Sequence, residues 1–396
     1  MHPPSSTMPR GAWIFIILAA LCFPATVRAW EVIVYDGRRH VPIEDLAAFY
    51  QLKEEILDGK KFVLSSANKK LTGQAGTREI IINNVKLILC FPIVEHNGRI
   101  LISGMDVSKI IEPVMRPGKI KNVGTLTTVV LDAGHGGNDS GATSVYGREK
   151  DFTLDVALRT RKLLLQQGYQ VRMTRQSDEL IPLETRAAIA NRCKDAVFIS
   201  IHFNKSNTPG GNGIETYALA PRGVPSMDAE RVSFSDLREH AGNVRDPENI
   251  ALATLMHSAM LRNLRLFDRG IKRARFLVIR EVTIPGVLLE GGFVDKDGPV
   301  LATPDYRQRM AQSITEAIGN YKHMVAHEGG ELASAPPPAP APEVSIPTQS
   351  VVSKGAAALA GRLSISALDE AEKNPLDESS VKTNLKETPI VSEKSK

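Results

Sequence analysis

The stretch Thr128-Val-Val-Leu-Asp-Ala-Gly-His-Gly-Gly-Asn-Asp-Ser-Gly-Ala142 decides how the rest of the chain is read. Val129 to Leu131 form a continuous apolar run, the pattern of a strand buried on both faces. The run ends at Asp132 and gives way to a glycine-dense turn carrying His135. Glycines around a histidine permit positive φ and let a ligand approach the backbone. An imidazole at the carboxyl end of a buried strand is where open α/β sheets place metal and catalytic groups.

Two further strands end in the same way. Ala196–Ile201 runs into Ser200-Ile-His-Phe-Asn204, which puts His202 at a strand end. Gly286-Val-Leu-Leu-Glu-Gly-Gly-Phe293 puts Glu290 after an apolar run, where a carboxylate is costly to bury unless paired or metal-linked. Between them stands Glu149, in Gly147-Arg-Glu-Lys-Asp151. It lies just ahead of a helical pattern (Leu154, Ala157, Leu158, Leu164, Leu165) whose start is marked by Asp151 or Thr153. Taken alone, Glu149 reads as a helix-start carboxylate favoured by local electrostatics. Two histidines and two glutamates so placed have the makings of a hydrolytic metal site, because catalytic zinc keeps three protein ligands and one open position, with His₂Glu a common set. A fourth carboxylate outside the ligand set can serve as general base and later as proton donor. The helical His-Glu-x-x-His arrangement is not found.

These residues sit in a stretch, 128–326, that resembles the N-acetylmuramoyl-L-alanine amidases of the amidase_3 family. The matching motifs are VVLDAGHGGNDSGA, GREKD, TRQSDELIPLETRAAIANRCKDAVFISIHFN, GIETYAL and IPGVLLEGGFVD, in the family's order. The resemblance implies one Zn²⁺ per catalytic domain, with His135, Glu149 and His202 as ligands and Glu290 as the catalytic carboxylate. It implies an α/β fold, a twisted mixed sheet flanked by helices. The implied reaction is hydrolysis of the amide joining N-acetylmuramic acid to L-alanine of the peptidoglycan stem peptide, in wall remodelling or daughter-cell separation. Three positions depart from the family's pattern: Ala133 replaces a usual proline, Gly291 a larger residue, and VDKDGPV lacks an asparagine.

The surroundings of this domain read as follows. Residues 1–29 form a signal peptide, with Arg10, the apolar run Ala12–Phe23 and Val27-Arg28-Ala29 as cleavage site. Leu21 before Cys22 is too bulky for lipoprotein processing, and an uncleaved anchor is the other alternative. Export to the periplasm or cell envelope follows, with no stable membrane span after cleavage. Residues 30–115 read as a small α+β N-terminal domain of short strands punctuated by Asp36-Gly37, Asn83-Asn84 and Asn97-Gly98. It resembles the stalk-like N-terminal domain of copper amine oxidases and of some bacterial wall enzymes, with a binding or spacer role. His40 and His96 read as solvated. Residues 116–125 form a linker, 126–326 the catalytic domain, and 327–396 a Pro/Ala- and then Ser/Lys/Glu-rich disordered tail.

The insertion at 221–248, with a helix expected over Val232–Ala241, reads either as groove lining or as a self-blocking segment relieved by an activator protein. Arg273 and Arg275, ahead of an expected strand Phe276–Ile279, read as substrate-carboxylate contacts or as solvated charge. His257 reads as surface or packing. The formal charge is +5, and the tail from 328 holds seven Lys/Arg against ten Asp/Glu, so the basic excess lies in the body. That suits an anionic wall polymer; without interleaved arginine and aromatic residues, nucleic acid is not expected. Cys90 and Cys193 fall in different domains and read as buried thiols. Two other classes share these features: a zinc peptidase or deacetylase on the same scaffold, and a non-catalytic wall-binding module. Glu290 argues against the latter, since a site kept for binding has no use for a base.

Overall fold

The computed structural model describes residues 30–120, 125–206, 208, 210–225 and 232–326. The leader 1–29, residues 121–124 of the linker and the tail from 327 lie outside the described residues.

The N-terminal region contains β1 (Ile33–Tyr35), β2 (Arg38–Pro42), α1 (Ile43–Tyr50), β3 (Lys53–Leu57), β4 (Lys61–Ser65), β5 (Lys70–Gln74), β6 (Glu79–Ile82), β7 (Val85–Ile88), β8 (Val94–His96) and β9 (Arg99–Ser103). A helical run follows, α2 (Gly104–Asp106) and α3 (Glu112–Met115) joined by a π-turn at Val107–Ile111. The second region contains β10 (Thr128–Ala133), the short hairpin β11 (Thr143–Ser144) and β12 (Gly147–Arg148), α4 (Glu149–Gln166), β13 (Gln170–Met173), α5 (Leu183–Asn191), β14 (Ala196–Asn204) and β15 (Ile214–Leu219). It closes with α6 (Asp246–Leu264), β16 (Asp268–Ala274), α7 (Leu277–Arg280), β17 (Gly286–Phe293), α8 (Gly298–Leu301) and α9 (Pro304–Ala326).

Six strands run in the order β13-β10-β14-β17-β15-β16. β13, β10, β14 and β17 are parallel; β15 and β16, parallel to each other, run the opposite way. The sheet is mixed and covered on both faces, as expected of near-continuous apolar strands. Because strand side chains alternate between faces, Val129, Leu131, Val197, Ile199, Ile201 and Leu289 join α4, α6 and α9 in the larger core. Val130, Phe198, Leu288 and Tyr217 point the other way, into a thinner layer with Ala187 and Ala190 of α5 and Val278 and Ile279 of α7. The same alternation puts Asp132, Ser200, His202, Glu290 and Glu215 on the thin-layer face.

The N-terminal region has a four-stranded sheet of its own, β1-β2-β9-β8. Its meander β3 to β7, however, continues the large sheet: β7 lies parallel to β16, with Leu87 opposite Ile271. One hydrophobic core runs from Leu46 and Phe62 through Leu87 and Ile110 to Met256 and Ile318. Polar ties cross the same junction. Lys109 Nζ is 2.9 Å from Asp246, and Arg273 donates to the carbonyls of Lys109 (2.6 Å) and Leu219 (3.0 Å).

Several elements differ from the sequence reading. β2, β3, β5 and β8 were not expected; they are short and largely polar, and β3 and β8 contain no buried residue, so no apolar run marks them. Phe276–Ile279 is not a strand: the Phe276 carbonyl accepts from Ile279 and Arg280 at 3.0 Å, closing a helical turn whose Val278 and Ile279 cap the thin core. The expected helix at 232–241 is replaced by two 3₁₀ turns, Ser235–Leu237 and Ala241–Arg245. His40 is 2% exposed rather than solvated. Cys90 is buried and Cys193 half-buried, both free thiols.

Leu87, 1% exposed, ties the two regions. Leu87→Ala is expected to cost about 2–5 kcal/mol. Because the core is shared, urea unfolding followed by Trp30 fluorescence and by far-UV circular dichroism should give one midpoint, shifted together in the variant. Two separate midpoints would overturn this.

Candidate metal centre and active site

His135 closes β10 with φ of +59°, in the left-handed region. The turn that holds it leaves the carbonyls of Ala133, Gly134 and His135 to be satisfied by side chains. Two buried arginines do this. Arg175 donates to Ala133 and Gly134 at 2.9 and 2.8 Å, and also to the carbonyl of Lys150 and the hydroxyl of Thr153. Arg186 donates to Ala133 at 2.7 Å and His135 at 2.8 Å, and forms a sealed ion pair with Asp132 at 2.8 Å. Thr174 and Ser200 hydroxyls donate to the two oxygens of Asp132, each at 2.7 Å. Burial opposes the Asp132 charge, but Arg186 and these hydroxyls outweigh it and hold its pKa below the usual carboxylate value. Lys150 and Asp178 add a second clasp, on the carbonyl and amide of Gly137.

Glu149 is the first residue of α4 rather than the residue ahead of it, with Arg148 as N-cap. Its Oε1 lies 3.0 Å from His135 Nε2 and 2.9 Å from His202 Nδ1. The amides of Phe203 and Ala142 donate to its two oxygens at 3.1 and 2.8 Å. The imidazole rings meet edge to face with centroids 5.0 Å apart. One ligand atom from each of His135, Glu149 and His202 lies within 4.8 Å of the others. Backbone packs close on both sides. A Cβ on Gly134 would come within 2.3 Å of the His202 ring, and one on Gly141 within 2.5 Å of Glu149 and 2.6 Å of His135. Burial would raise the Glu149 carboxyl, yet its hydrogen bonds with the two histidines hold it well below its ordinary value. Burial would lower His135, and the carboxylates of Glu149 and Asp139 instead raise it to about 9. Two nitrogens and a carboxylate oxygen with this convergence suit a metal ion of the zinc type. Asp139 Oδ2, 2.7 Å from His135 Nδ1, is the outer carboxylate that fixes such a ligand's ring.

Glu290 is set beside this cluster by the ladder itself: it is register partner of His202 on β14 and of Glu215 on β15. Its Oε2 is buried without a hydrogen-bond partner among the described residues. Burial, then the neighbouring Glu149 and Glu215 carboxylates, push its pKa well above the ordinary value. Glu215, equally buried, has the opposite fate. Burial is outweighed by Lys272, at 2.6 Å, by Tyr217 and by Arg269, and its pKa is lowered.

A cleft of about 280 Å³ opens beside the two histidines, walled by Leu180, Pro182, Phe276, Leu277 and Leu288. None of the described residues of the insertion line it. Arg275 instead holds the insertion through Asp236, at 2.7 Å, and the Pro221 and Val224 carbonyls. Arg273 and Arg275 are therefore structural, and neither faces the cleft. His257 is fully buried, bridging Thr216 and Asp268 at 2.9 Å each. Asp139, Arg175, Arg186 and Glu215 were not singled out in the sequence. Arg175 and Arg186, eleven positions apart in one motif, are the kind of charge that reads as surface until burial is known.

The departures also find reasons. A Cβ on Gly291 would meet Met310 Sδ at 2.5 Å and Phe203 at 2.8 Å, so the small residue matches a large neighbour on α9. In the loop after Phe293, Asp295 receives the Ser206 amide at 3.0 Å, and Asp297 those of Gly213 and Phe293 at 2.9 Å.

Asp139 is half exposed and outside the core, and its carboxylate holds only His135 Nδ1 and the Gly141 amide among the described residues, so Asp139→Ala is expected to cost about 1–2 kcal/mol and leave the fold intact. Metal affinity, measured by chelator competition, should fall roughly 10–100-fold. An unchanged affinity would remove Asp139 from the site.

Comparison with known proteins identifies the family. The sequence profile of Amidase_3, described as N-acetylmuramoyl-L-alanine amidase, matches residues 129–320. N-acetylmuramoyl-L-alanine amidase AmiA of Escherichia coli K12 is 31% identical over 229 residues, covering 52% of this chain and 79% of that protein. AmiC of Neisseria meningitidis serogroup B is 31% identical over 229 residues, covering 52% and 55%. Among solved structures, AmiC2 of Nostoc punctiforme has 33% identity and a TM-score of 0.41, covering 49% of this chain and 96% of that one. This chain belongs to the Amidase_3 family and is an enzyme of the N-acetylmuramoyl-L-alanine amidase class.

Proposed function

We propose that the protein hydrolyses the amide between the lactyl group of N-acetylmuramic acid and L-alanine in peptidoglycan. One observation carries the reading: three convergent donors, His135, Glu149 and His202, stand beside a buried carboxylate, Glu290, whose Oε2 has no hydrogen-bond partner among the described residues. In this reading the first three are the ligands of one zinc ion, and Glu290 is the catalytic group. Zinc bound there supplies Lewis acidity, lowering the pKa of water toward neutrality and polarising a carbonyl.

The chain's own residues do the rest. Glu290, its charge disfavoured by burial and by two neighbouring carboxylates, is a strong base when ionised and a ready acid when protonated. It accepts a proton from the attacking water on Oε2. It then returns that proton to the alanine nitrogen as the C–N bond breaks, leaving a lactyl carboxylic acid and a free amine, and the acid's proton passes to the amine to give carboxylate and ammonium. Asp139 orients His135, and the carbonyl clamp of Arg175 and Arg186 keeps that ring in place.

The body's basic excess suits the anionic wall, and the signal-like leader suits export to the periplasm or envelope, for wall remodelling or daughter-cell separation. No helix of the described residues is long and apolar enough to cross a membrane. Whether an activator acts on the 221–248 insertion is a separate matter from the chemistry, since the described part of that segment stands off the cleft.

Mass spectrometry of purified peptidoglycan digested by the zinc-loaded protein tests the reading. Free peptides beginning at L-alanine and peptide-free glycan are expected. Glu290→Gln should slow their release roughly 10²–10⁴-fold, while retaining zinc. A chelator should stop wild-type digestion and added zinc restore it. Cuts within the peptide would move the protein to the peptidases.

A further inference from the structure

The sheet face that carries the metal centre is chemically divided. From β10 and β14 across to Leu288 of β17 lies the apolar cleft of Leu180, Pro182 and Leu277, closed at its far edge by Phe276, which packs on Tyr217 of β15 with ring centroids 5.1 Å apart. Across Glu290, on the side of β15 and β16, the same face is cationic. Glu215 stands opposite Glu290 in register, and two cations of β16 meet its Oε1: Lys272 at 2.6 Å and Arg269 through Nε. Glu215 is 2% exposed, whereas Lys272 and Arg269 keep 20% and 24% of their side chains in solvent. The carboxylate is a buried foot, and the two cations over it leave a net charge of +1. Arg269 also lies over the Phe293 ring, 5.1 Å from its centroid, at the same end of the sheet as the metal centre. One strand further, Leu87 and Ile271 both face the core, so alternation turns Lys86 and Lys272 to the opposite, active-site face. Lys86 packs within 3.2 Å of the Gly270 Cβ position, and its nearest carboxylate is Glu79 at 3.9 Å.

We propose that this division sets the direction of the substrate. The muramoyl end occupies the Leu180–Phe276 cleft. The departing peptide crosses Glu290 toward β16, where Lys272 and Arg269 receive its carboxylates. The inference rests on the amidase reading. With its lactyl carboxyl locked in the scissile amide, the muramoyl end is uncharged there and displays lactyl and acetyl methyl groups, which match apolar walls. The carboxylates of such a substrate lie on the peptide side, at its C-terminus and on acidic residues. The distances agree. Strands lie about 4.8 Å apart, so β16 is roughly 10 Å from Glu290, and an extended peptide covers that in about three residues. The reverse orientation would press carboxylates against Leu180 and Phe276, which offer them no partner.

The test uses the full chain and two synthetic N-acetylmuramoyl tripeptides, alike except that the peptide carboxylates are free in one and amidated in the other. Wild type is expected to prefer the free acid. Lys272→Met should reduce the ratio of kcat/KM for free over amidated substrate about tenfold or more. Lys86→Met, outside the Glu215 cluster, should reduce it less. Phe276→Ala should raise KM for both substrates and leave the ratio unmoved. A ratio unchanged in Lys272→Met, with both substrates slowed alike, would make the lysine a mere support for Glu215 and overturn the orientation. Failure of wild type to cleave either substrate would overturn the amidase reading itself, and the orientation with it.

Discussion

After β10 the chain presents three consecutive carbonyls, of Ala133, Gly134 and His135, to side chains rather than to a neighbouring strand, and it does so with a histidine at positive φ. A left-handed non-glycine residue costs roughly 1–2 kcal/mol, and each buried carbonyl without a donor costs a similar amount. Arg175 and Arg186 remove the second cost and oppose the first. A guanidinium cannot be deprotonated and offers five N–H donors in a fixed fork, so it can grip several carbonyls at once without adapting. Only Arg186 has a buried carboxylate, Asp132; the described bonds of Arg175 go to carbonyls and a hydroxyl. Burial and the like charge of Arg186 accordingly lower the pKa of Arg175. The charge penalty is accepted at the point where the ring of His135 is held, and the candidate metal centre depends on that grip.

This explains which parts of the site could be read from residues alone. Apolar runs ending in His135, His202 and Glu290 mark strand ends, and period-two alternation then fixes their common face. Glu149 needed the fold, because only the packing of α4 against β14 brings a helix-start carboxylate onto both histidines. The arginines could not be sorted by type. Arg175, Arg186 and Arg273 are buried while Arg269 is partly exposed, and the difference lies in which carbonyls and carboxylates surround each one. His257 was hidden for the same reason: a helical spacing among apolar residues says nothing of the Thr216 and Asp268 groups that satisfy its two nitrogens. At Phe276–Ile279, β-branched residues read as a strand, but tertiary packing on the thin core overrides that weak preference.

The N-terminal region is less of an appendage than its loose sequence suggested. Without β7, β16 would be an edge strand with unpaired backbone groups, a liability that proteins cover. Pairing with β7 covers it, and Arg273 and Lys109 pin the junction from below. β16 is also the strand that carries Lys272 and Arg269. The region that looked like a spacer thus braces the cationic side of the active-site face.

That side bears on the chemistry of Glu290. Two carboxylates at directly opposed positions of adjacent strands have Cβ atoms about 5 Å apart, and in a buried setting both cannot remain ionised without compensation. Glu215 has its compensation in Lys272, Arg269 and Tyr217. Glu290 has no bonded partner on Oε2 among the described residues, Lys272 offsets its charge only in part, and Glu149 on its other flank adds to the repulsion. A proton shared by this group of acids therefore resides on Glu290. In the row His202–Glu290–Glu215, the outer members are tied by Glu149 and by cations, and the central one is left free to exchange a proton. That asymmetry, made by the neighbours rather than by Glu290 itself, separates the proposed catalytic carboxylate from a structural one in the same row.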